Sequence, residues 1–411
     1  MSVLGQALKV HRTNQGLTQD QLAEEICSVA YLSKLENGKA EPHRQTIELI
    51  CRRLSVDSTP FIAESDSAFH KAISQWLYEI HIFHIIEVDK QSPAIFRDID
   101  QIEALSEQCL YDLALLGYYL LKDRLLDATD QFAYLQKRES LYLACEAFSY
   151  YKFTGLYYQR KGMYSHAIKQ FEEANSLAQD QPDAELYLAM ATVYSQMSNI
   201  VVSNKYAQMA FTIFQEKLFY VRMIDCQIVL GLNYSLVGDF YSAETYFSQL
   251  LEVDGEHLLD KTRANIHHHI GYIHFRKQEY EQAKKSFNTA LSFDTIEMDF
   301  LNSRYWLAYI AMNEGDNQKA KEHIQNGLLL ADRYEHPHYD MKFRVLDYRL
   351  DGREDELMAY LEQDVIPFFE KNGEAVELKH YHYLCGTLLF ERKRYKRAAE
   401  CFKYASDDFL L

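Results

Sequence analysis

Proline and glycine are scarce, at six and 15 in 411 residues. That excludes an all-β architecture, which needs a turn signal every few residues. No apolar run reaches the roughly 18 residues of a membrane-spanning helix, and the opening MSVLGQALKVHR lacks the apolar core of a secretory signal. No membrane partner is therefore expected. The seven cysteines (Cys27, Cys51, Cys109, Cys145, Cys226, Cys385, Cys401) form no C-x-x-C pair. This fits reduced thiols in a cytoplasm better than a disulfide framework or a zinc site. No P-loop, H-E-x-x-H, nucleophile motif or paired-acid constellation occurs, so neither a conventional enzyme nor a cofactor is expected. What is abundant is apolar: 48% of residues, with 31 Tyr and 23 Phe, enough for a large core and against global disorder.

The net charge of −17 argues against nucleic acid at first sight. Its distribution reverses the argument. Residues 1–60 carry seven Lys or Arg and seven Asp or Glu, so the whole acidic surplus lies beyond them. An acidic body repels DNA except where the neutral head docks, which makes binding modest and salt-sensitive.

The stretch TQDQLAEEICSVAYLSKLENG, residues 18–38, reads as two short helices joined by a tight turn. Thr18 and Gln21 have capping-box spacing. Leu22, Ala23 and Ile26 share one face, Leu32 and Leu35 another, and Asn37-Gly38 supplies the left-handed stop. Helices this short need neighbours to complete a core. Residues 2–15, with Leu4 and Leu8 inward and Gly16 as terminator, supply one. Thr46 to Leu54, after a break at Glu41-Pro42, supplies another. Such a unit presents one helix to the major groove.

G-x-x-L-x-x-x-R, GLTQ-x-x-LA and LSKLENGK-x-x-P, within residues 4–57, resemble the lambda-repressor-like, XRE-type DNA-binding domain. The turn Ile26-Cys27-Ser28-Val29 is one residue shorter than is usual there. The form ICSVAYLSKLENG is similar to the head of the peptide-pheromone receptors of Firmicutes, the Rap–Rgg–NprR–PlcR group, nearest NprR and PlcR. That resemblance implies that Gln19 touches a phosphate. It also implies that Ser28, Val29, Ala30, Tyr31 and Lys34 form the DNA-facing set. Tyr31 and Lys34 are three apart and share a helical face, as the geometry independently allows; Tyr31 packing inward is the competing assignment. Arg12 and Glu36 are expected to pair with each other and hold the first helix against the recognition helix.

Residues 61–103 read as a helical connector, with Phe69, Ile73, Trp76, Leu77 and Ile80 on one side. His81 and His84 are three apart, but no thiol or carboxylate at matching spacing supports a metal site. Beyond residue 104 the chain repeats. A small residue is followed by Ala twelve later and an aromatic sixteen later: Gly155-Ala167-Phe171, Gly231-Ala243-Phe247, Gly271-Ala283-Phe287 and Gly386-Ala398-Phe402. Weaker copies surround Gly117, Ala191 and Ala308. The wide gap between Ala308 and Gly386 leaves room for an irregular pair near Asp355 to Phe369. This resembles a lengthened tetratricopeptide repeat, in which each helix pair buries its face only by stacking on the next.

In such repeats the first helix of each pair lines a groove. Counting from the small anchor, this selects Asp225 in one repeat, Asn265, His268, Tyr272 and Arg276 in the next, and Asn302, Tyr305 and Tyr309 in the third. Asn offers a donor and an acceptor to the backbone of an extended peptide. Tyrosines pack its side chains, and Arg276 suits a carboxylate. Solvated groove surface is the alternative for all of them. The run His267-His268-His269 cannot converge on one ion, because adjacent helical residues point about 100° apart.

The expectation is an all-α chain: a helix-turn-helix domain over 1–60, a connector over 61–103, and a tetratricopeptide-repeat superhelix over 104–411 that binds peptide and oligomerises. Its expected partners are double-stranded operator DNA, a short linear signalling peptide, and a second copy in a homodimer or higher oligomer. The resulting activity is cytoplasmic, quorum-sensing transcriptional regulation, with the peptide as allosteric switch. The rival is that the repeats sequester or dephosphorylate a response regulator and that peptide relieves this.

Overall fold

Capping decides where the first helices start. The computed structural model describes residues 3–41, 43–63, 67–102, 104–178, 181–252, 259–293 and 300–406, and these contain helices and no strand. Helix α1 (Val3–Asn14) stops short of Gly16, whose φ is +69°. Helix α2 (Gln19–Ala23) carries the expected capping box: the Thr18 hydroxyl accepts from the Gln21 amide, and Gln21 Oε1 accepts from the Thr18 amide at 2.8 Å. Helix α3 (Val29–Glu36) is capped by Ser28, whose Oγ accepts from the Tyr31 amide at 3.1 Å. Gly38 follows at φ +67°. Helices α4 (Arg44–Arg53) and α5 (Thr59–Ile62) close the head. Pro42, expected to break the chain, lies outside the described residues. Leu8, Leu22, Leu32, Leu35, Ile47, Ile50 and Leu54 are all buried in one small core.

Helices α6 (Ser67–His81) and α7 (Ile85–Arg97) and a single 3-10 turn (Ile99–Gln101) occupy the expected connector. Trp76 of α6 is fully buried, and its indole N–H donates to Ser92 Oγ at 3.2 Å. Its ring meets Tyr111 at 6.2 Å and Tyr118 at 5.6 Å, both on α8 (Leu105–Leu121). The segment is therefore packed as a repeat helix would be. The apolar face of α8 demands a partner, and α6 supplies it.

The pairs then succeed one another. Helix α8 is followed by α9 (Leu125–Gln136), and α10 (Glu139–Arg160, interrupted at Glu146) by α11 (Tyr164–Leu177). Next come α12 (Ala184–Gln196) with α13 (Ile200–Glu216), and α14 (Tyr220–Leu236) with α15 (Phe240–Glu252). Helix α16 (Asp260–Arg276) pairs with α17 (Tyr280–Ala290), and α18 (Leu301–Glu314) with α19 (Asn317–Arg333). Helix α20 (Pro337–Leu350) meets the irregular run of α21 (Glu354–Tyr360), a π-turn (Leu361–Val365) and α22 (Ile366–Asn372). Helices α23 (Ala375–Glu391) and α24 (Tyr395–Ser406) end the described chain; residues 407–411 of the expected repeat domain lie outside it. The π-turn sits where Pro367 cannot donate a backbone hydrogen bond, which removes one rung of the ladder.

The sixteen-residue spacing has a steric meaning. A Cβ built on Gly155, Gly271 or Gly386 would lie 2.5, 2.8 or 2.7 Å from a ring atom of Phe171, Phe287 or Phe402. Gly327 and Phe343, also sixteen apart, make the same contact at 2.2 Å. Each ring seats on bare backbone, so any side chain at the glycine would lift it.

Contacts divide the chain into two compact units, Met1–Tyr157 with Gln170–Gln181 and Tyr158–Lys169 with Pro182–Leu411. Within the second unit a buried polar clasp joins distant turns. Lys161 Nζ donates to the carbonyls of Tyr334 and Glu335 at 3.1 and 3.2 Å, and Asn372 Nδ2 donates to the Gly162 carbonyl at 2.7 Å.

Candidate nucleic-acid interface and repeat groove

In the head, the recognition helix is held from behind. Arg12 Nε and Nη2 donate to the two Glu36 oxygens at 2.6 and 3.0 Å, as expected, and Arg12 Nη1 donates to the Leu17 carbonyl at 2.8 Å. Glu36 is 1% exposed, so this bidentate pair fixes α1 against the end of α3 in a dry setting. Gln19 Nε2 also donates to Glu36, at 2.7 Å. Gln19 is thus half-buried and already engaged.

The front of α3 is open. Ser28, Val29, Ala30 and Lys34 are exposed. Tyr31 is intermediate between its two expected placements. It is half-buried, and its hydroxyl donates to the Glu41 carbonyl at 2.9 Å. That bond ties α3 to the loop leading into α4. His43, Arg44 and Gln45 at the start of α4 are exposed beside it, a set the motif reading did not include. Arg44 pairs with Glu48 at 3.1 Å.

The repeat face divides by register. Asn265 and Asn302, both six before their anchors, are exposed, and among the described residues neither side-chain amide has a hydrogen-bond partner. Tyr272 and Tyr309, one after the anchor, are half-buried. His268 and Tyr305, three before the anchor, are a correction to the groove assignment: they are 8% and 3% exposed. His268 Nδ1 bonds Ser303 Oγ at 3.0 Å, and Tyr305 packs on Phe343 at 5.9 Å. The same register position holds buried Leu188 and Ile228, while Tyr383 in the final pair is 62% exposed. This position faces the next repeat, so the next repeat covers it, and at Tyr383 in the last described pair it lies bare.

The three consecutive histidines diverge as expected. His267 stacks on Phe293, His268 meets Ser303, and His269 stacks on Phe247. Burial lowers the pKa of all three, His269 to about 4. His81 bonds Ser149 and His84 bonds Glu79, so those two also serve different partners.

Charges on this face are arranged unevenly. Arg222 donates to Glu185 and to Asp225, both at 2.8 Å, so Asp225 belongs to a closed ion cluster. Lys342 on α20 donates to Glu377 at 2.5 Å, and its ammonium lies 4.3 Å from the centre of the Tyr305 ring. Arg276 donates to the Tyr272 hydroxyl at 3.0 Å and rests over Phe240 and Tyr272. Arg349 lies over Tyr309 at 5.7 Å. Between these arginines runs an aromatic strip: Tyr272 to Trp306 at 5.2 Å, Trp306 to Phe275 at 4.6 Å, and Phe275 to Tyr309 at 5.7 Å. The sequence reading missed Lys342, Arg349 and Glu377 because α20 has no small anchor to set its register. Gly327 and Phe343, at the same sixteen-residue spacing, were the available signal.

Comparison with known proteins places both parts. The helix-turn-helix family matches residues 8–61, and the tetratricopeptide repeat matches residues 264–295. The chain is 26% identical to the transcriptional activator NprA of Geobacillus stearothermophilus over 93% of this chain and 97% of that protein. It is 25% identical to response regulator aspartate phosphatase I of Bacillus subtilis (strain 168) over 61% of this chain and 67% of that protein. Among solved structures, a Rap protein complexed with competence and sporulation factor matches with a TM-score of 0.68 at 18% identity, covering 83% of this chain and 97% of that one. NprR in complex with its cognate peptide NprX matches with a TM-score of 0.67 at 19% identity, covering 80% and 98%.

Proposed function

We propose, from its place in the Rap–Rgg–NprR–PlcR family of peptide-responsive regulators, to which the chain belongs, that it is a cytoplasmic transcriptional regulator and not an enzyme. Its head binds operator DNA, and its repeats hold a short signalling peptide that switches it. The observation that carries this reading is the head itself: a capped recognition helix, locked from behind by Arg12 and Glu36, with Val29, Ala30 and Lys34 left open in front. A neutral head on an acidic body is suited to docking through that one face. One head buries too little surface for specificity, so a homodimer or higher oligomer on an inverted repeat completes the site.

On the repeats, Asn265 and Asn302 are the candidates for the peptide backbone, and Tyr272 and Tyr309 for its side chains. His268 and Tyr305 support the wall behind them. Switching requires that the peptide bind one arrangement of the protein more tightly than another.

The likeness to NprA over nearly the whole chain supports this reading. The likeness to response regulator aspartate phosphatase I supports a second, in which the repeats sequester or dephosphorylate a response regulator and peptide relieves it. Fluorescence anisotropy of the full chain on DNA from its own promoter, with and without peptides from neighbouring small reading frames, separates them. Specific, salt-sensitive binding that moves with one peptide and is lost in Tyr31→Ala/Lys34→Ala supports the regulator. Absence of specific binding under every condition rejects it in favour of the second reading.

A further inference from the structure

Several cations on the repeats are matched by carboxylates. Arg222 meets two carboxylates, Glu185 and Asp225. Lys342 meets Glu377. Arg344, Arg353, Arg392 and Arg397, elsewhere on the last repeats, each meet at least one. Arg276 and Arg349 differ. Among the described residues neither has a carboxylate partner; each rests on a tyrosine ring at either end of the strip Tyr272, Phe275, Trp306, Tyr309.

Arg349 is the more informative of the two. It lies seven residues from Lys342 on α20, two turns along the same face. Lys342 is neutralised by Glu377, and burial holds the neighbouring His380 imidazole below its ordinary pKa, so that ring is neutral at pH 7. The cluster therefore keeps one uncompensated positive charge, on Arg349, inside a chain of net charge −17. A guanidinium lying against a ring keeps its N–H edge available, and that edge matches a carboxylate in a two-point bond.

We propose that Arg349, assisted by Arg276, is a carboxylate-recognition site on the repeat face, and that the peptide bound there is one that presents a carboxylate to it. The carboxylate is the peptide's C-terminus or an Asp or Glu side chain. The aromatic strip between the two arginines packs the apolar side chains of the same peptide. This rests on the peptide-receptor reading above and specifies its ligand.

The test uses the full chain and two pools of randomised synthetic heptapeptides, one with free C-terminal carboxylates and one amidated. Bound peptides are separated by gel filtration and identified by mass spectrometry. A C-terminal site favours the free-acid pool by about tenfold, the scale of one charge-assisted bond. A side-chain site instead retains both pools equally and enriches Asp and Glu over Asn and Gln by a similar factor. In either case Arg349→Gln abolishes the preference, Arg349→Lys restores part of it, and Arg276→Gln weakens it less. Circular dichroism melts of the variants confirm that they fold, as expected for a half-exposed side chain. Retention without any carboxylate preference, or a preference unchanged in Arg349→Gln, overturns the carboxylate site and leaves the peptide receptor standing. Retention of no peptide from either pool overturns both.

Discussion

The head and the repeats solve the same problem in opposite ways. In the head, the residues offered for recognition stand outside the core: Ser28, Val29, Ala30 and Lys34 are exposed on a helix whose rear is clamped by Arg12 and Glu36. In the repeats, recognition and packing share one helix face. Asn265 and Asn302 stay open, while His268 and Tyr305, one turn further along the same helices, are closed over by the next repeat. A small domain keeps its working face apart from its core because one core suffices. A stack cannot, since every pair is completed only by its neighbour. Substitutions in the head should therefore separate stability from binding, whereas those in the repeats should mix them.

The largest effect is expected at Glu36. Glu36→Ala leaves the Arg12 guanidinium buried without its partner and should cost about 3–5 kcal/mol. Urea unfolding followed by circular dichroism checks this, and DNA binding should disappear with the head. Joint replacement, Arg12→Met with Glu36→Leu, should recover most of the stability. Unchanged stability in Glu36→Ala would mean that the clamp contributes nothing.

Phe287→Ala is the counterpart in the repeats. It empties the seat over Gly271 and should destabilise by about 3–5 kcal/mol, with peptide binding lost alongside stability. Gly271→Ala, which pushes on the same ring, should cost a smaller ~1–3 kcal/mol. Thermal melts of both variants, read beside peptide affinity, show whether folding and binding move together.

Acid should act on the second unit. Burial holds His269 at about 4 and His336 at about 3, against an ordinary value of 6.5. The unfolded chain takes up these two protons near pH 6.5, and the folded unit resists them. Stability is therefore fully present well above pH 6.5 and falls as pH drops through and below it, by about 4 kcal/mol at pH 5 for the two groups together. Urea midpoints at pH 7.5 and pH 5 check the sign, and His269→Phe should remove about half of the dependence, leaving the part that belongs to His336.

The smallest effect on stability, and the cleanest on function, belongs to Lys34. It is exposed, so Lys34→Ala should leave the melting temperature unchanged and weaken DNA binding by about 1 kcal/mol or more, lowering the salt slope by about one if the partner is a phosphate. An anisotropy titration at two salt concentrations decides between a phosphate and a base contact.

Much of this organisation is legible in the residues. The capping box at Thr18 and Gln21, the Arg12–Glu36 pair, the glycine stops and the sixteen-residue Gly–Phe spacing all appear where the sequence places them, because each is a short-range or strictly periodic demand of helix geometry. The irregular pair near residues 355–369 was readable as a gap in the period. Its π-turn at Leu361–Val365 was not, although Pro367 marks the place.

What the chain alone determined is which residues share a helix and which face of that helix is apolar, since 3.6-residue periodicity and local caps are properties of the string. Only the tertiary structure decided which members of a face remain in contact with solvent, and which charges find partners. His268 and Asn265 sit three residues apart on one helix, yet Ser303 of the following repeat bonds the first, while among the described residues none bonds the side chain of the second. Lys342 finds Glu377 across 35 residues, while Arg349, two turns away, rests on a tyrosine ring and among the described residues meets no carboxylate. Burial and pairing depend on what another helix brings to the same place, and no local pattern encodes that.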